Sequence, residues 1–262
     1  MNNCIEKFCF VACLSDWIQK WNVFLLLFIL NFFVTNSQEN NFQKVEAFKK
    51  FENFNVQEIT QDKLNNIWLS TNKGLLKFDG ISITNFDFKI DESSQNVNTF
   101  LSENDSLFIG KNKNLYLKTH QQLLSFEAQS VNKILKHNNK YFIASNQGIL
   151  HFNKNYLQPL KTTYNLDFAV VNDLIFHKNE FIVSSNNGLW MVPNLLQPKK
   201  IVLISTGNYS SLLQINNSLF VVKNNSEIQE LNTKNELVKR YVKSEITSIS
   251  LINNKIFVAS KN

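Results

Sequence analysis

The sequence predicts an all-β protein built from repeated four-stranded antiparallel sheets. Two observations support this fold class. Short runs of β-branched and aromatic residues alternate with Asn-rich turns along most of the chain, which is the pattern of strands and hairpins. The same order of apolar residues and turns also recurs six times, at intervals of 34 to 41 residues. The apolar content of 44% is enough to form a hydrophobic core.

The N-terminal segment differs in character from the rest of the chain. Its apolar run, Val23–Val34, is shorter than the about 20 residues that a membrane-spanning helix needs, and it has the length of a signal-peptide core. Thr35 and Ser37 supply small residues for cleavage before Gln38. We therefore predict a signal peptide over residues 1–37 and a periplasmic or otherwise exported protein. An uncleaved membrane anchor is the alternative.

Charge and cysteine usage exclude several functions for residues 38–262. All three cysteines precede the apolar run, so neither a disulfide framework nor a cysteine-based zinc site is expected after it. The formal net charge is +6, but the lysines are scattered, mostly in turns. A nucleic-acid interface would gather them on one face. We expect no nucleic-acid partner, and contact with a membrane only through the N-terminal segment.

The six repeats share a frame of apolar positions. They start at Val56, Val97, Val131, Val171, Tyr209 and Ile246. Counting each start as position zero, position three is again apolar in every copy: Ile59, Phe100, Ile134, Leu174, Leu212 and Ile249. A polar turn and an aromatic or aliphatic run follow, so the first two strands of each repeat are predicted to form a hairpin.

Small residues follow the second run of most repeats. They are Ser70, Gly110, Ala144, Ser184 and Ala259, with Val222 as the exception. We expect them to let neighbouring sheets approach closely. The motifs TNKG, SNQG and SNNG come next, and we expect Gly74, Gly148 and Gly188 to adopt positive φ in a tight turn. A third and a more variable fourth strand complete each unit.

Four antiparallel strands repeated about every 38 residues are typical of a β-propeller blade. Helical repeats of similar length would need a 3.6-residue periodicity, and a β-sandwich gives no reason for matched turns. The predicted fold is therefore an incomplete β-propeller of about five four-stranded blades and a partial sixth.

The first repeat, ITQDKLNNIWLSTNKGLLKFDG, resembles the two-component regulator propeller repeat. The matching residues are Asp62, Trp68, Ser70, Thr71, Gly74, Leu75, Phe78 and Gly80. The resemblance implies an exported propeller at the N-terminus of a bacterial membrane sensor, followed by an immunoglobulin-like domain, a transmembrane helix and a histidine kinase or DNA-binding output module. Many such sensors are thought to respond to polysaccharide fragments.

This chain departs from that plan after the repeats. It contains no second membrane span, kinase sequence or helix-turn-helix, and it ends one residue before the turn glycine of the sixth repeat would fall. We therefore expect a fragment of a longer receptor whose output domains lie elsewhere. A naturally short form is the alternative.

No catalytic, cofactor-binding or metal-binding residues are predicted. The sequence has no phosphate-binding loop, dinucleotide fingerprint, HExxH or GxSxG motif. His137 and His177 occupy equivalent repeat positions, which favours a turn role over a metal or catalytic one. Asp62 and Asp173 occupy different repeat positions and form no paired-carboxylate signature.

The predicted function is a non-enzymatic, extracytoplasmic ligand-sensing module of a two-component-type receptor. A secreted propeller enzyme, an adhesin or a protein-binding scaffold is the alternative, because propellers support many functions. The partners we expect are a carbohydrate or another small extracellular ligand, and a second propeller in a dimer. Trp68 is expected in the core, whereas Trp190 is a candidate for stacking on a sugar.

Overall fold

The computed structural model describes residues 53–260, except 63, 87–94, 104–105, 154–155, 161–169, 197–200, 243–244 and 253–254. The predicted export segment, residues 1–37, lies outside this part of the chain. The elements within it are strands joined by turns and irregular segments. No helix in the described ranges has the length and hydrophobicity needed to cross a bilayer.

The first three sheets have four strands each. Blade 1 consists of β1 (Val56–Gln61), β2 (Ile67–Thr71), β3 (Gly74–Phe78) and β4 (Ile83–Phe86). Blade 2 consists of β5 (Thr99–Glu103), β6 (Ser106–Gly110), β7 (Asn114–Lys118) and β8 (Leu123–Glu127). Blade 3 consists of β9 (Val131–His137), β10 (Lys140–Ser145), β11 (Gly148–Asn153) and β12 (Tyr156–Pro159).

Two more four-stranded sheets and a two-stranded sheet follow. Blade 4 consists of β13 (Val171–His177), β14 (Glu180–Ser185), β15 (Gly188–Val192) and β16 (Val202–Thr206). Blade 5 consists of β17 (Tyr209–Ile215), β18 (Ser218–Lys223), β19 (Glu227–Leu231) and β20 (Leu237–Val242). The sixth sheet pairs β21 (Ile246–Ile252) with β22 (Lys255–Ser260).

The sheets are arranged as a β-propeller. Within each sheet the strands pair antiparallel in chain order. The first strands of successive sheets are neighbours in space, whereas the fourth strands are largely exposed. The first strands are therefore the inner strands, which line the central channel of this architecture. The predicted fold, five four-stranded blades and a partial sixth, is confirmed.

The hydrophobic core is divided among five clusters, each between two successive sheets. Between blades 2 and 3, for example, Phe108 and Leu115 pack against Val131 and Ile134. From blade 2 onward, each sheet has a leading face, which carries repeat positions zero and three and contacts the preceding sheet. In blades 1 to 5, the trailing face carries the middle residue of the second-strand run, such as Phe108, and contacts the next sheet.

A bulge in the inner strands explains the spacing of the apolar frame. In a regular strand, positions zero and three point to opposite faces because side chains alternate. In β9, β13 and β17 the pairing register shifts between positions zero and two, and the same shift occurs in β1 and β21. The extra residue at position one puts positions zero and three on the same side. Both can then pack against the preceding sheet.

The small residue after the second run has the expected packing role. A Cβ added to Gly110 would lie 2.4 Å from Cγ1 of Val131 in the next blade and 2.7 Å from Cγ2 of Thr99. Such distances are far below van der Waals contact. A glycine at this position therefore lets blades 2 and 3 approach, whatever its φ value.

Two of the three turn glycines have the predicted conformation. Gly74 has φ +124° and Gly148 has φ +93°. Before each of them a buried hydroxyl stabilises the turn: Oγ1 of Thr71 donates to the Gly74 carbonyl at 2.7 Å, and Oγ of Ser145 donates to the Gly148 carbonyl at 2.8 Å. These hydroxyls also accept a hydrogen bond from the backbone two residues later.

The prediction of a positive φ at Gly188 is wrong. Gly188 lies outside the left-handed region, and Oγ of Ser185 accepts a hydrogen bond from the Gly188 amide at 3.1 Å. An added Cβ would meet Nε1 of Trp190 at 2.9 Å and Cδ1 of Leu203 at 2.7 Å. Any side chain at position 188 would overlap with the Trp190 ring, so glycine is needed there. The requirement for glycine thus comes from steric overlap and not from backbone strain.

Candidate functional site: a polar ring on the inner strands

Position two of the first five repeats forms a polar ring on the inner strands. The ring residues are Glu58, Thr99, Lys133, Asp173 and Ser211. Glu58 of blade 1 is bonded to Lys133 of blade 3, and it also accepts a hydrogen bond of 2.6 Å from Oγ1 of Thr99 in blade 2. Side chains from three sheets therefore meet in the channel, although 75 residues separate Glu58 from Lys133.

Asp173 makes the corresponding contact between blades 4 and 5. Its Oδ2 accepts from the backbone amide of Leu212, at position three of the next blade, at 2.9 Å, and its Oδ1 accepts from Leu174 at 2.8 Å. Glu58 does the same in blade 1, where Oε2 accepts from the amide of Phe100 at 3.3 Å. A carboxylate at position two thus holds an inner-strand amide of the following blade.

The charged groups of the inner strands are unequally paired. Apart from histidine, the six inner strands carry five charged side chains: Glu58, Glu103, Lys133, Lys136 and Asp173. Lys133 pairs with Glu58, and Lys136 pairs with Glu103 at 2.8 Å. Asp173 receives only backbone amides among the hydrogen bonds that the structure shows for it. Among these carboxylates, Asp173 is therefore the one that can accept hydrogen bonds from donor groups of a ligand.

The electrostatics of the ring distinguish Lys133 from Asp173. Burial lowers the pKa of Lys133, but the carboxylates of Glu58 and Asp173 outweigh burial and leave it raised. Burial raises the pKa of Asp173 to about 6, opposed by Lys133 and by the amides of Leu212 and Leu174. Both side chains are only partly shielded from solvent, as expected for groups lining a channel. Asp173 therefore changes its charge in mildly acidic solution.

Asparagines at position one join successive blades. Nδ2 of Asn132 donates to the Val171 carbonyl at 2.8 Å, and Nδ2 of Asn172 donates to the Tyr209 carbonyl at 2.6 Å. Both asparagines occupy the bulged position of their strand, where the side chain is redirected toward the next sheet. We call such a contact an Asn clasp.

The ring and the Asn clasps were missed at the sequence level. The apolar frame that defines the repeats leaves out position two, and Asp62, with which Asp173 was compared, lies at another repeat position. A signal was nonetheless present, because position two is polar in all six copies, from Glu58 to Ser248. Aligning polar as well as apolar positions would have revealed it.

The sequence-predicted motif of the first repeat stabilises its own hairpin. Asp62, in the turn after β1, accepts from Nε1 of Trp68 at 2.9 Å and from both the amide and the side chain of Asn66. Burial raises the pKa of Asp62, but these bonds outweigh it and lower the pKa to about 2. Trp68 is buried between blades 1 and 2, and Oγ of Ser70 contacts the Asn98 carbonyl at 3.4 Å.

Trp190 lies on β15, the third strand of blade 4, and not on the inner strands. Its indole nitrogen donates to Oγ of Ser185 at 3.1 Å, and the ring packs against the core cluster between blades 3 and 4. The ring is partly buried. The structure thus gives Trp190 a packing role, and stacking on a sugar remains a prediction.

The two equivalent histidines end their inner strands. The ring of His137 stacks on Phe176 of the next blade, with centroids 3.7 Å apart. His177 is buried, and neither of its ring nitrogens has a hydrogen-bond partner among the described residues. Within the same residues no three potential metal ligands lie together.

Comparison with known proteins supports the fold. No protein-family model and no curated protein matches the chain. Among solved structures it is similar to the extracellular domain of a hybrid two-component system from B. thetaiotaomicron (TM-score 0.56, 16% identity), covering 78% of this chain and 37% of that one. It is also similar to PorZ, a surface component of the type-IX secretion system of Porphyromonas gingivalis (TM-score 0.58, 13% identity; 78% and 29% covered).

A third similar structure is the WD40 β-propeller domain of Doa1, with a TM-score of 0.61 and 17% identity over 78% of this chain and 75% of that one. At these identities the shared feature is the propeller fold. The chain spans 37% of the two-component extracellular domain and 29% of PorZ, so it corresponds to a part of each.

Proposed function

We propose that this chain is an extracytoplasmic ligand-sensing propeller module of a two-component-type receptor, without catalytic activity of its own. The observation that carries the proposal is the polar ring, which gathers side chains of blades 1, 2 and 3 around Glu58 and leaves Asp173 available on blade 4. The resemblance of the first repeat supports the same proposal, as does the similarity to an extracellular domain of a two-component system and to the bacterial surface component PorZ.

The ring suits binding better than catalysis. Glu58 is held by Lys133, Thr99 and the Phe100 amide, so it has no free proton-transfer role. A ligand with several hydroxyl groups would find carboxylate and hydroxyl acceptors from different blades. Occupation of the channel would then change how blade 1 holds blade 3 and how blade 4 holds blade 5, which is the coupling that a sensor needs. Carbohydrates are the ligand class that we propose.

A thermal-shift screen with neutral and acidic oligosaccharides tests this function. We expect at least one to raise the melting temperature of the protein in proportion to its occupancy. Asp173→Ala should weaken that shift, whereas Lys113→Ala, at an exposed turn of blade 2, should leave it unchanged. An effect of both substitutions, or of neither, would place the ligand elsewhere. Chromatography of the recovered oligosaccharide should show it intact, and cleavage would favour the enzyme alternative.

A further inference from the structure

The turn between β14 and β15 of blade 4 places an asparagine directly before a glycine. Asn187 precedes Gly188, whereas Lys73 and Gln147 precede the equivalent glycines of blades 1 and 3. The backbone nitrogen after an asparagine can attack the asparagine side chain, and it is least hindered in glycine, which has no Cβ. Asn187 is exposed, so water has access to its side chain. The sequence and the exposure together allow a covalent change at this turn.

The buried hydroxyl of Ser185 contacts both reacting groups of this pair. Its Oγ accepts a hydrogen bond from the Gly188 amide at 3.1 Å and another from Nε1 of Trp190 at 3.1 Å. Because these bonds occupy both lone pairs, the hydroxyl is left to donate. It lies 2.6 Å from Oδ1 of Asn187 and 2.8 Å from the Gly188 carbonyl oxygen, so the contact with Asn187 is the shorter. One hydroxyl therefore connects the attacking amide to the side-chain carbonyl that it attacks.

We propose that Asn187 deamidates in the folded protein, with Ser185 as the proton relay. The Gly188 nitrogen forms a bond to Cγ of Asn187 while its proton passes to Oγ of Ser185, and Ser185 gives its own proton to Oδ1. The Cγ–Nδ2 bond of this tetrahedral adduct then breaks, and the proton on Oδ1 passes through solvent to the departing nitrogen. Ammonia leaves and a cyclic imide remains. Water opens the imide to aspartate or isoaspartate.

The Ser185 hydroxyl acts on the attack of the amide nitrogen. A neutral amide attacks well only if its proton is removed while the charge on the carbonyl oxygen is neutralised, and a relay does both. The fold already holds the two groups on the same hydroxyl, so the reaction does not have to order solvent there. The product adds one negative charge next to the start of the inner strand, because Ser185 pairs with Val171. This inference is independent of the function proposed above.

Peptide mapping by mass spectrometry, on protein stored at neutral pH, tests the modification. In the folded chain Asn187 should convert at least about tenfold faster than Asn146, which lies in the corresponding SNQG turn of blade 3. The chain unfolded in guanidinium chloride gives the intrinsic rate of each site. We expect Asn187 to convert at least as fast in the folded chain as in the unfolded one. Conversion no faster than that of Asn146, or slower than in the unfolded chain, would overturn the proposal.

Two substitutions of Ser185 separate the relay from the intrinsic reactivity of the Asn–Gly pair. Ser185→Ala should slow the conversion of Asn187 in the folded chain by at least about fivefold, the effect of one lost hydrogen bond, and should not change it in the unfolded chain. Ser185→Thr keeps the hydroxyl, as Thr71 does at this position of blade 1, and should restore the rate. Circular dichroism shows whether each variant is folded. Equal rates in folded wild type and folded Ser185→Ala would overturn the relay. If Ser185→Ala does not fold, the ratio of folded to unfolded rates in the wild type decides.

Discussion

The junction between blades 4 and 5 and the junction between blade 5 and the sixth sheet share apolar packing but differ in polar contacts. In the first, Asn172 reaches the Tyr209 carbonyl and Asp173 reaches the Leu212 amide. In the second, Ser210 and Ser211 occupy the repeat positions that Asn172 and Asp173 hold in blade 4. Oγ of Ser210 is buried without a hydrogen-bond partner among the described residues. Apolar packing is therefore the general means of joining sheets, and the Asn clasps add to it at selected junctions.

Side-chain length explains the difference. The amide of an asparagine at the bulged position extends to the carbonyl at position zero of the next sheet, as Asn132 and Asn172 do. A serine hydroxyl at that position is closer to its own backbone and makes no such bond in blade 5. Because a buried unpaired polar atom costs free energy, the junction after blade 5 should be the less stable one.

Removing an Asn clasp should have the largest effect. Asn172→Ala leaves the Tyr209 carbonyl without its side-chain donor, and we expect the free energy of unfolding to fall by about 1–3 kcal/mol. Urea unfolding measures it. Asn186→Ala, in the exposed turn of the same blade, is the control and should change stability by less than about 0.5 kcal/mol. Equal losses in the two variants would mean that the Asn clasp contributes nothing to the junction.

Asp173 should make the stability of the protein depend on pH. Its pKa in the fold is raised to about 6 from 3.8, so the fold favours the neutral carboxyl. Its contribution is fully present below pH 4 and is lost as the pH rises toward 6. We expect a loss of about 1–2 kcal/mol between pH 4 and 7, reduced by solvent in the channel.

Asp173→Asn isolates that contribution, because the asparagine does not titrate. The difference between the unfolding free energies of wild type and variant should change between pH 4 and 6 and stay constant above pH 7. Asp62 titrates in the opposite sense, with a pKa of about 2, and acts mainly below this range. Parallel pH profiles for wild type and Asp173→Asn would show that Asp173 does not titrate in this window.

The apolar part of the architecture could be predicted from the sequence, whereas the polar part could not. Apolar residues at positions zero and three recur in all six repeats and are buried from the second repeat onward, so they identify the blades. The orientation of Asn132 or Asp173 depends on a bulge, and strand alternation alone gives no sign of it. Likewise SNNG and SNQG look alike, yet Trp190 packs against Gly188 and the turn takes another form.

Transplanting an Asn clasp should stabilise the weaker junction. Ser210→Asn places an amide opposite the Ile246 carbonyl, as Asn172 lies opposite Tyr209, and removes the unpaired hydroxyl. We expect a gain of about 1 kcal/mol, the usual net value of such a hydrogen bond. Differential scanning calorimetry measures the gain, and Ser210→Ala shows how much comes from removing the hydroxyl alone. A midpoint for Ser210→Asn no higher than for Ser210→Ala would exclude the bond.

The smallest effect concerns the hairpin turn of blade 4. Lys178 has φ +49°, a conformation that costs a lysine more than an asparagine, and blade 3 has Asn138 with φ +48° at the same repeat position. We expect Lys178→Asn to stabilise the protein by about 0.5–1 kcal/mol. Lys113→Asn, where φ is not positive, serves as the reference in urea titrations. A gain in both variants would point to a general effect of removing a lysine.

A double-mutant cycle between Glu58 and Lys133 tests the central claim most directly, namely that the inner strands converge on one axis and bring their position-two side chains together. The unfolding free energies of Glu58→Gln, Lys133→Met and the double variant give the coupling between blades 1 and 3. The structure predicts a coupling of about 1 kcal/mol or more, because the two groups are bonded in the channel. A coupling within about 0.3 kcal/mol of zero would contradict it, since distant residues are additive.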